Sequence, residues 1–270
     1  MTAGNAKQPS VLDAGLSGRL YRALTGETEE LYDLVQDPSL EVLQAVLKNP
    51  LLAEPHLVAL LRRRDLSDKL IKAIAAMPLF EDCRTVKMSV FKNPATPSHL
   101  ALSIISQLYL FELVDMILLP GLPPDQRVAA ERAVVQRIPA LPLGNKLTLA
   151  HRGTAAIVEA LLDEGDPRIV GACLANPRLK EVAVCRFLNG PRGTAETISI
   201  IARHERWKGR PAVRRSILRN GNTPVVWYTA WLPSLSLAEI RELALSSRLG
   251  QAQKAALTEE MQKRTGCRVK

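Results

Sequence analysis

The stretch VLQAVLKNPLLAEPHLVALL, residues 42–61, sets the plan of this chain. An apolar run ends in a basic residue, Asn and Pro follow, and a second apolar run begins. The residue before a proline is pushed out of helical backbone conformation, so a helix is expected to end at Asn49. The stretch therefore predicts two short helices, broken at Asn49, that each present an apolar face.

The same phrase recurs at a nearly constant spacing. Three further copies centre on Asn93, Asn176 and Asn220, and a degenerate copy carries Ile138-Pro139 in place of Asn-Pro. These copies read VKMSVFKNPATPSHLALSII (86–105), ACLANPRLKEVAVCRFL (172–188), RRSILRNGNTPVVWYTAWL (214–232) and AVVQRIPALPLGNKLTLA (133–150). The junctions at 49, 93, 138, 176 and 220 are 44, 45, 38 and 44 residues apart, within the range of HEAT and armadillo units. A third apolar run in each unit predicts three helices per repeat.

These junctions resemble those of the HEAT/armadillo-like α-solenoid superfamily. They are also similar to bacterial variant repeats built on an Asn-Pro-x-Thr-Pro phrase, which reads NPATP from Asn93 and NGNTP from Asn220. The resemblance covers residues 37–247 and implies an all-α, right-handed solenoid of about five repeats. Residues 1–36 are then an N-terminal tail with capping helices, and residues 248–270 a C-terminal capping helix and tail. It also implies a scaffold or binding surface, while the fold alone leaves the partner undefined.

Capping residues are predicted at the starts of several helices. Asp37 and Asp166 each precede a proline, which fits an N-cap followed by Pro at the first helical position. The third helices of later repeats are expected to begin after Thr154, Thr194 and Ser236.

Composition favours one all-α domain in the cytoplasm. The chain has 270 residues, of which 47% are hydrophobic and only 4% aromatic, so Leu, Ala, Val and Ile supply the core.

The N-terminal residues lack the pattern of a signal peptide. The most apolar stretch, 100–119, contains Glu112 and Asp115, which a membrane-spanning helix would bury at high cost. The four cysteines are expected to be reduced, structural thiols (Cys83, Cys173, Cys185 and Cys267).

No enzyme signature is evident. The chain has no Gly-rich phosphate loop, no HExxH and no GxSxG motif, and its cysteines and histidines lack zinc-ligand spacing. His56 and His99 occupy similar repeat positions, which favours a structural role. We therefore predict a non-enzymatic protein with no catalytic residue, cofactor or metal.

The repeated asparagines are expected to shape their own turns. Asn tolerates helix-terminal conformations and hydrogen-bonds nearby backbone. On that basis Asn176→Ala is expected to cost about 1 kcal/mol, the value of one local bond. Leu174→Ala, on the apolar stripe just before the turn, is expected to cost about 2–5 kcal/mol. A row of asparagines that binds a ligand is the alternative.

A basic residue precedes most junctions. Lys48, Lys92, Arg137 and Arg219 share this repeat position, and stacked repeats would align them into a ridge that follows an acidic partner or a phosphate backbone. The competing explanation is that cations are favoured at helix C-termini whatever they bind. The same two explanations apply to the basic turn 62–64, which contains three consecutive arginines.

Positive charge is concentrated between Gly190 and Arg219. This segment holds eight basic and two acidic residues, an excess of six in a chain whose formal net charge is +9. Trp207 lies among the arginines and is suited to stacking on a base or anchoring a protein contact. The candidate partner-binding residues here are Arg203, Arg206, Trp207, Arg210, Arg214, Arg215 and Arg219. A solvated surface with one packed tryptophan is the alternative.

Three functions remain open at this point. The first is a scaffold that binds a protein or peptide, in particular an acidic one, through a concave or basic surface. The second is nucleic-acid binding, which the sequence pI of about 9.6 favours. The third is a HEAT-like DNA glycosylase that would use Trp207, Trp227, Tyr228 and Trp231 as cleft aromatics. Oligomeric state is not specified by any of these patterns.

Overall fold

The computed structural model describes residues 14–266. Within this range the chain forms 20 α-helices and two 3-10 helices and has no strand, so the all-α class is confirmed. The helices pack into two compact units, the first ending at Ala130 and the second starting at Glu131.

The first unit is built from α1 to α9 and the start of α10. Their bounds are α1 Ala14–Thr25, α2 Thr28–Leu34, α3 Leu40–Val46, α4 Glu54–Leu61, α5 Asp68–Ala75, α6 Pro78–Asp82, α7 Arg84–Lys92, α8 Ser98–Gln107, α9 Leu110–Leu118 and α10 Pro124–Arg137. Helix α1 packs against α3, and α4 packs against α7. The second helix of the first predicted repeat thus packs on the first helix of the next.

The second unit takes the end of α10 and all later elements. Their bounds are η1 Ile138–Ala140, α11 Leu143–Arg152, α12 Ala155–Leu162, α13 Pro167–Ala175, α14 Glu181–Asn189, α15 Ala195–Arg203, α16 Glu205–Lys208, α17 Pro211–Leu218, α18 Val225–Trp231, η2 Leu232–Ser234, α19 Leu237–Ala244 and α20 Gln251–Thr265. The same packing order recurs, because α11 packs on α13, α14 on α17 and α18 on α20.

The helices are short, and packing rather than propensity holds them. Isolated helices of fewer than about 12–15 residues are marginal in water. Helix α5 shows how burial compensates: Leu70, Ile71 and Ile74 are fully buried on one stripe, while Lys69 and Lys72 are exposed. The spacing of these apolar residues is that of one helix face.

A helix ends at or shortly before each of the five junctions. Asn93 and Asn176 have extended backbone, with ψ of 129° and 125°, as expected of residues that precede a proline. At the degenerate junction α10 ends at Arg137 and the chain continues as η1, with Pro139 in its first turn.

The predicted caps are correct in part. Asp166 accepts a hydrogen bond from the Arg168 amide, and Thr194 and Ser236 cap α15 and α19. Thr154 precedes α12, but its hydroxyl makes no hydrogen bond with the described residues.

The prediction for the first repeat was wrong in register. Helix α3 starts at Leu40, so Ser39, rather than Asp37, is its N-cap. Asp37 Oδ1 accepts the Ser39 amide at 2.8 Å, as Asp166 does with Arg168, but the Asp37 carbonyl accepts Arg63 Nη1 at 2.8 Å instead of the first bond within the helix, which the Asp166 carbonyl accepts from the Val170 amide.

Asn176 does more than close its own turn. Its Oδ1 accepts the Arg178 amide at 2.8 Å, which is the local bond expected. Its Nδ2 also donates to three backbone carbonyls at the end of α11, those of Ala150, His151 and Gly153, at 2.7, 3.1 and 3.3 Å. The prediction that Asn176 only shapes its own turn is therefore incomplete, because its side chain also bonds to the end of a helix 23 to 26 residues earlier in the sequence.

The other asparagines make the same pair of interactions. Each Oδ1 accepts the amide two residues later, and each Nδ2 donates to carbonyls at the end of an earlier helix. The carbonyl acceptors are Ala23 and Gly26 for Asn49, Leu61 and Arg63 for Asn93, and Leu188 for Asn220. We call this arrangement the asparagine clamp. It satisfies carbonyls that the last turn of a helix leaves without a partner.

We expect Asn176→Ala to cost about 2–4 kcal/mol, more than a local bond, because buried carbonyls left unpaired cost about 1–3 kcal/mol each. All three tryptophans lie in the second unit, so urea denaturation followed by tryptophan fluorescence reports its stability. Leu174→Ala, at a fully buried position, sets the scale at about 2–5 kcal/mol.

Two further variants separate the clamp from the turn. Asn176→Asp keeps the acceptor for Arg178 but replaces the donor, so it should destabilise at least as much as Asn176→Ala. Asn189→Ala, at an exposed position, serves as the control. A near-neutral Asn176→Asp would show that the long-range bonds contribute little.

Candidate functional site

Three short helices carry the basic segment that the sequence singles out. Helix α15 ends at Arg203, α16 spans the residues around Arg206, and α17 carries Arg214 and Arg215. His204 has extended backbone and its Nδ1 accepts the Arg206 amide at 3.2 Å, so one residue both ends α15 and caps α16. These turns place the arginines on successive helix ends. We call Arg203, Arg206, Arg210, Arg214, Arg215 and Arg219 the arginine surface.

Arg206 is committed to the protein itself. Its guanidinium donates to the carbonyls of Asn176, Pro177 and Leu179 at 2.7, 3.2 and 2.9 Å. It also lies 4.5 Å from the centre of the Trp207 ring. Arg206 therefore holds the junction at Asn176, and binding a partner would require it to give up these bonds.

Trp207 is a core residue, which corrects the sequence-based assignment. The side chain is 1% exposed and its indole nitrogen donates to the Leu174 carbonyl at 3.1 Å. An aromatic ring in this position is not accessible to a base or a partner. The packed tryptophan weighed as the alternative is therefore correct, and the sequence could not decide between the two because α16 is too short to show a periodic pattern.

The remaining arginines differ in how many interactions they make within the protein. Arg214 donates to the Lys208 carbonyl and lies 5.5 Å from the Trp231 ring, so it too is partly structural. Arg203 and Arg210 are exposed, and Arg210 pairs with Glu181 at 3.1 Å.

A groove of about 210 Å³ lies beside α17 in the second unit. Arg215 and Arg219 line it and pair there with Glu239, at 3.6 Å, and with Glu242. Leu218 is also part of the lining. Sequence reasoning missed the two glutamates, which lie outside the basic segment and reduce its positive charge. Exposed ion pairs of this kind contribute about 0–1 kcal/mol each and are readily exchanged for another anion.

The predicted basic row before the junctions is distributed over both units. Lys48 and Lys92 are exposed near the ends of α3 and α7 in the first unit, and Arg137 and Arg219 are half-buried in the second. A continuous ridge stays a prediction.

The residues weighed for chemistry are mostly structural. His56 Nδ1 accepts the Ala53 amide and Nε2 lies 3.1 Å from the Thr28 carbonyl, so the structural role predicted for His56 is confirmed. Glu112 accepts the Tyr109 amide at 2.9 Å and pairs with Arg84. No cluster of His, Cys, Asp or Glu in residues 14–266 is suited to hold a metal ion.

Of the described cysteines, Cys173 is buried in the core, whereas Cys83 and Cys185 are half-buried. Cys83, Cys173 and Cys185 are free thiols, and burial raises the pKa of Cys173 to about 12. Its thiol therefore stays protonated and unreactive at neutral pH. Cys267 lies outside the described residues.

No protein-family model, no curated protein and no solved structure matches this chain. Within the described range, no helix is both long and apolar enough to cross a membrane.

We expect Arg206→Ala to destabilise the second unit by about 1–3 kcal/mol, since hydrogen bonds from a charged donor to three carbonyls are lost. Arg203→Ala, at an exposed position on α15, should stay within about 0.5 kcal/mol of wild type. Urea denaturation followed by tryptophan fluorescence measures both. Equal stability of the two variants would show that the hydrogen bonds of Arg206 do not stabilise the second unit and that Arg206 is a free surface cation.

His204 should make the second unit less stable in mild acid. Burial, aided by the positive charge of Arg206, lowers the pKa of His204 below its ordinary value of about 6.5. The folded state then binds fewer protons than the unfolded state, so the contribution is complete above pH 6.5 or so and is lost as pH falls below it. Denaturation of wild type and His204→Asn at about pH 8 and about pH 5.5 tests this. The variant should lose less stability than wild type, and equal losses would contradict the assignment.

Proposed function

We propose that this chain is a non-enzymatic α-solenoid of about five HEAT/armadillo-like repeats that acts as a scaffold. In this proposal a protein or peptide partner, in particular an acidic one, binds to its basic surface. Three free thiols in the described range also support a cytoplasmic location, where disulfides are rare.

The recurrence of the asparagine clamp carries this proposal. Four junctions repeat the same two bonds, one to the amide two residues later and one to the end of an earlier helix. Local rules that repeat in this way are typical of arrays whose units stack on their neighbours. Such arrays expose long surfaces that bind extended partners.

The arginine surface supplies the charge that an acidic partner needs. Arg203, Arg210 and Arg215 are exposed and make no hydrogen bond to backbone within residues 14–266. The ion pairs that Arg210 and Arg215 form with glutamates are replaceable by carboxylates of a partner. Long-range attraction from such residues raises association rates more than it alters folding.

The four aromatic residues predicted to line a cleft argue against a glycosylase. A glycosylase cleft or a base-stacking surface needs accessible rings, yet Trp207, Tyr228 and Trp231 are 1%, 0% and 9% exposed. Trp227 is half-buried and donates to Ser199 Oγ at 3.2 Å. Backbone-directed binding of nucleic acid remains the alternative, because the formal net charge is +9.

Reversing Arg203, Arg210 and Arg215 to Glu should weaken binding of labelled polyglutamate by about tenfold or more, equivalent to about 1.4 kcal/mol, with little change in the denaturation midpoint. Fluorescence anisotropy at several salt concentrations provides the measurement. Random duplex DNA is titrated in parallel.

A matched variant controls for net charge. Lys180, Lys254 and Lys263 are exposed cations of the same unit, and their reversal to Glu changes the charge equally. This control should bind polyglutamate nearly as well as wild type at physiological salt, where charges beyond about 8 Å are screened. Equal effects of both variants would reduce the arginine surface to nonspecific charge. Much tighter, steeply salt-dependent binding of DNA would favour the nucleic-acid alternative.

A further inference from the structure

A second basic groove lies in the first unit, and we propose that it binds an acidic, partly apolar peptide segment of a partner protein. This goes beyond the function proposed above, because the groove contains none of the arginine surface. The groove has a volume of about 480 Å³. It is formed by the end of α4, one face of α7 and the turn at residues 119–122.

Three of the four cations that line this groove are not neutralised, while Arg63 pairs with Asp65 at 2.8 Å. Arg62, Arg64 and Lys92 line it, are exposed, and form no ion pair with any residue in 14–266. None of the described lining residues is acidic. The groove beside α17 differs in this respect, since Glu239 and Glu242 face its arginines. Positive charge is therefore available here for a ligand.

The basic turn is held rigid before any ligand arrives. Asn93 Nδ2 donates to the Leu61 and Arg63 carbonyls at 2.9 and 2.7 Å, which fixes the backbone on both sides of Arg62. Arg63 itself is engaged, because its Nη1 donates to the Val35 and Asp37 carbonyls at 2.9 and 2.8 Å. The clamp thus fixes the backbone that carries Arg62 and Arg64, and ordering this backbone in advance reduces the entropy lost on binding.

The opposite wall approaches the same cations closely. Gly121 has φ of +85°, a conformation that side chains rarely adopt. A Cβ built at this position would lie 3.4 Å from Arg64 Nη2. The turn is therefore packed against Arg64, and the groove has two fixed sides.

The lining defines the chemistry of the occupant. Apolar side chains form part of the wall, and two hydroxyls lie among them: Val58, Leu61, Pro94, Leu119, Pro120, Leu122, Thr85 and Ser89. Cations beside an apolar wall match a segment in which carboxylates alternate with aliphatic residues. The described lining contains no aromatic ring on which a base could stack, and a bare phosphate would leave the apolar wall unused.

A labelled peptide that alternates Glu with Leu tests the assignment, with the same peptide carrying Gln for Glu as its control. We expect the Glu peptide to bind the full chain, and the Gln peptide to bind about tenfold or more weakly. Arg62→Gln/Arg64→Gln and Lys92→Gln should each weaken the Glu peptide by about tenfold. Arg22→Gln and Lys69→Gln, exposed cations of the same unit outside the groove, should leave it unchanged.

Other outcomes would overturn the proposal. They are equal binding of the two peptides, unaltered binding by the groove variants, or competition by duplex DNA or inorganic phosphate at lower concentration than by the Glu peptide. Circular dichroism verifies that each variant is folded. Reversal of Arg203, Arg210 and Arg215 should not affect this peptide, so failure of the groove and failure of the arginine surface give different patterns.

Discussion

The donation of side-chain hydrogen bonds to the ends of earlier helices is the constraint on which this structure depends. Most helices here have seven to ten residues, and the last four carbonyls of any helix have no partner within it. A large share of the backbone acceptors would otherwise be unpaired. The asparagine clamp supplies donors at four junctions. Arg206 and Gln253 donate to carbonyls in the turns that follow α13 and α17, and Arg264 to carbonyls at both ends of η2.

The long range of these hydrogen bonds also explains why the sequence predicts some features of the structure and not others. The period, the all-α class and the helix breaks follow from apolar spacing and proline, which act locally. The partners of Asn176 Nδ2 do not, because they lie 23 to 26 residues away and only folding brings them together. The phrase Asn-Pro-x-Thr-Pro combines a helix break that the sequence predicts with a hydrogen bond that it does not. Thr96 and Thr223 donate to the carbonyls of Val90 and Ile217, six residues back, and these bonds also need the folded turn.

Arginine is the residue for which sequence reasoning was least discriminating. Arg206 and Arg203 are equivalent in a count of charge, yet one donates to three carbonyls and the other is exposed at the end of α15. A guanidinium has five donors in a fixed fork, so it serves equally as a backbone clamp or as a ligand for carboxylates. The net charge of a stretch of sequence locates a basic segment. Whether each arginine in it can bind a partner depends on the carbonyls and glutamates within its reach.

The degenerate junction shows what happens where the clamp is missing. Ile138 has no hydrogen-bonding side chain and is 2% exposed, so this junction is packed by apolar contact. The division between the two compact units falls at Ala130 and Glu131, within the helix that leads into it. Ile138 therefore pairs no carbonyl of an earlier helix, and the asparagine clamps fall into two groups, at Asn49 and Asn93 in the first unit and at Asn176 and Asn220 in the second.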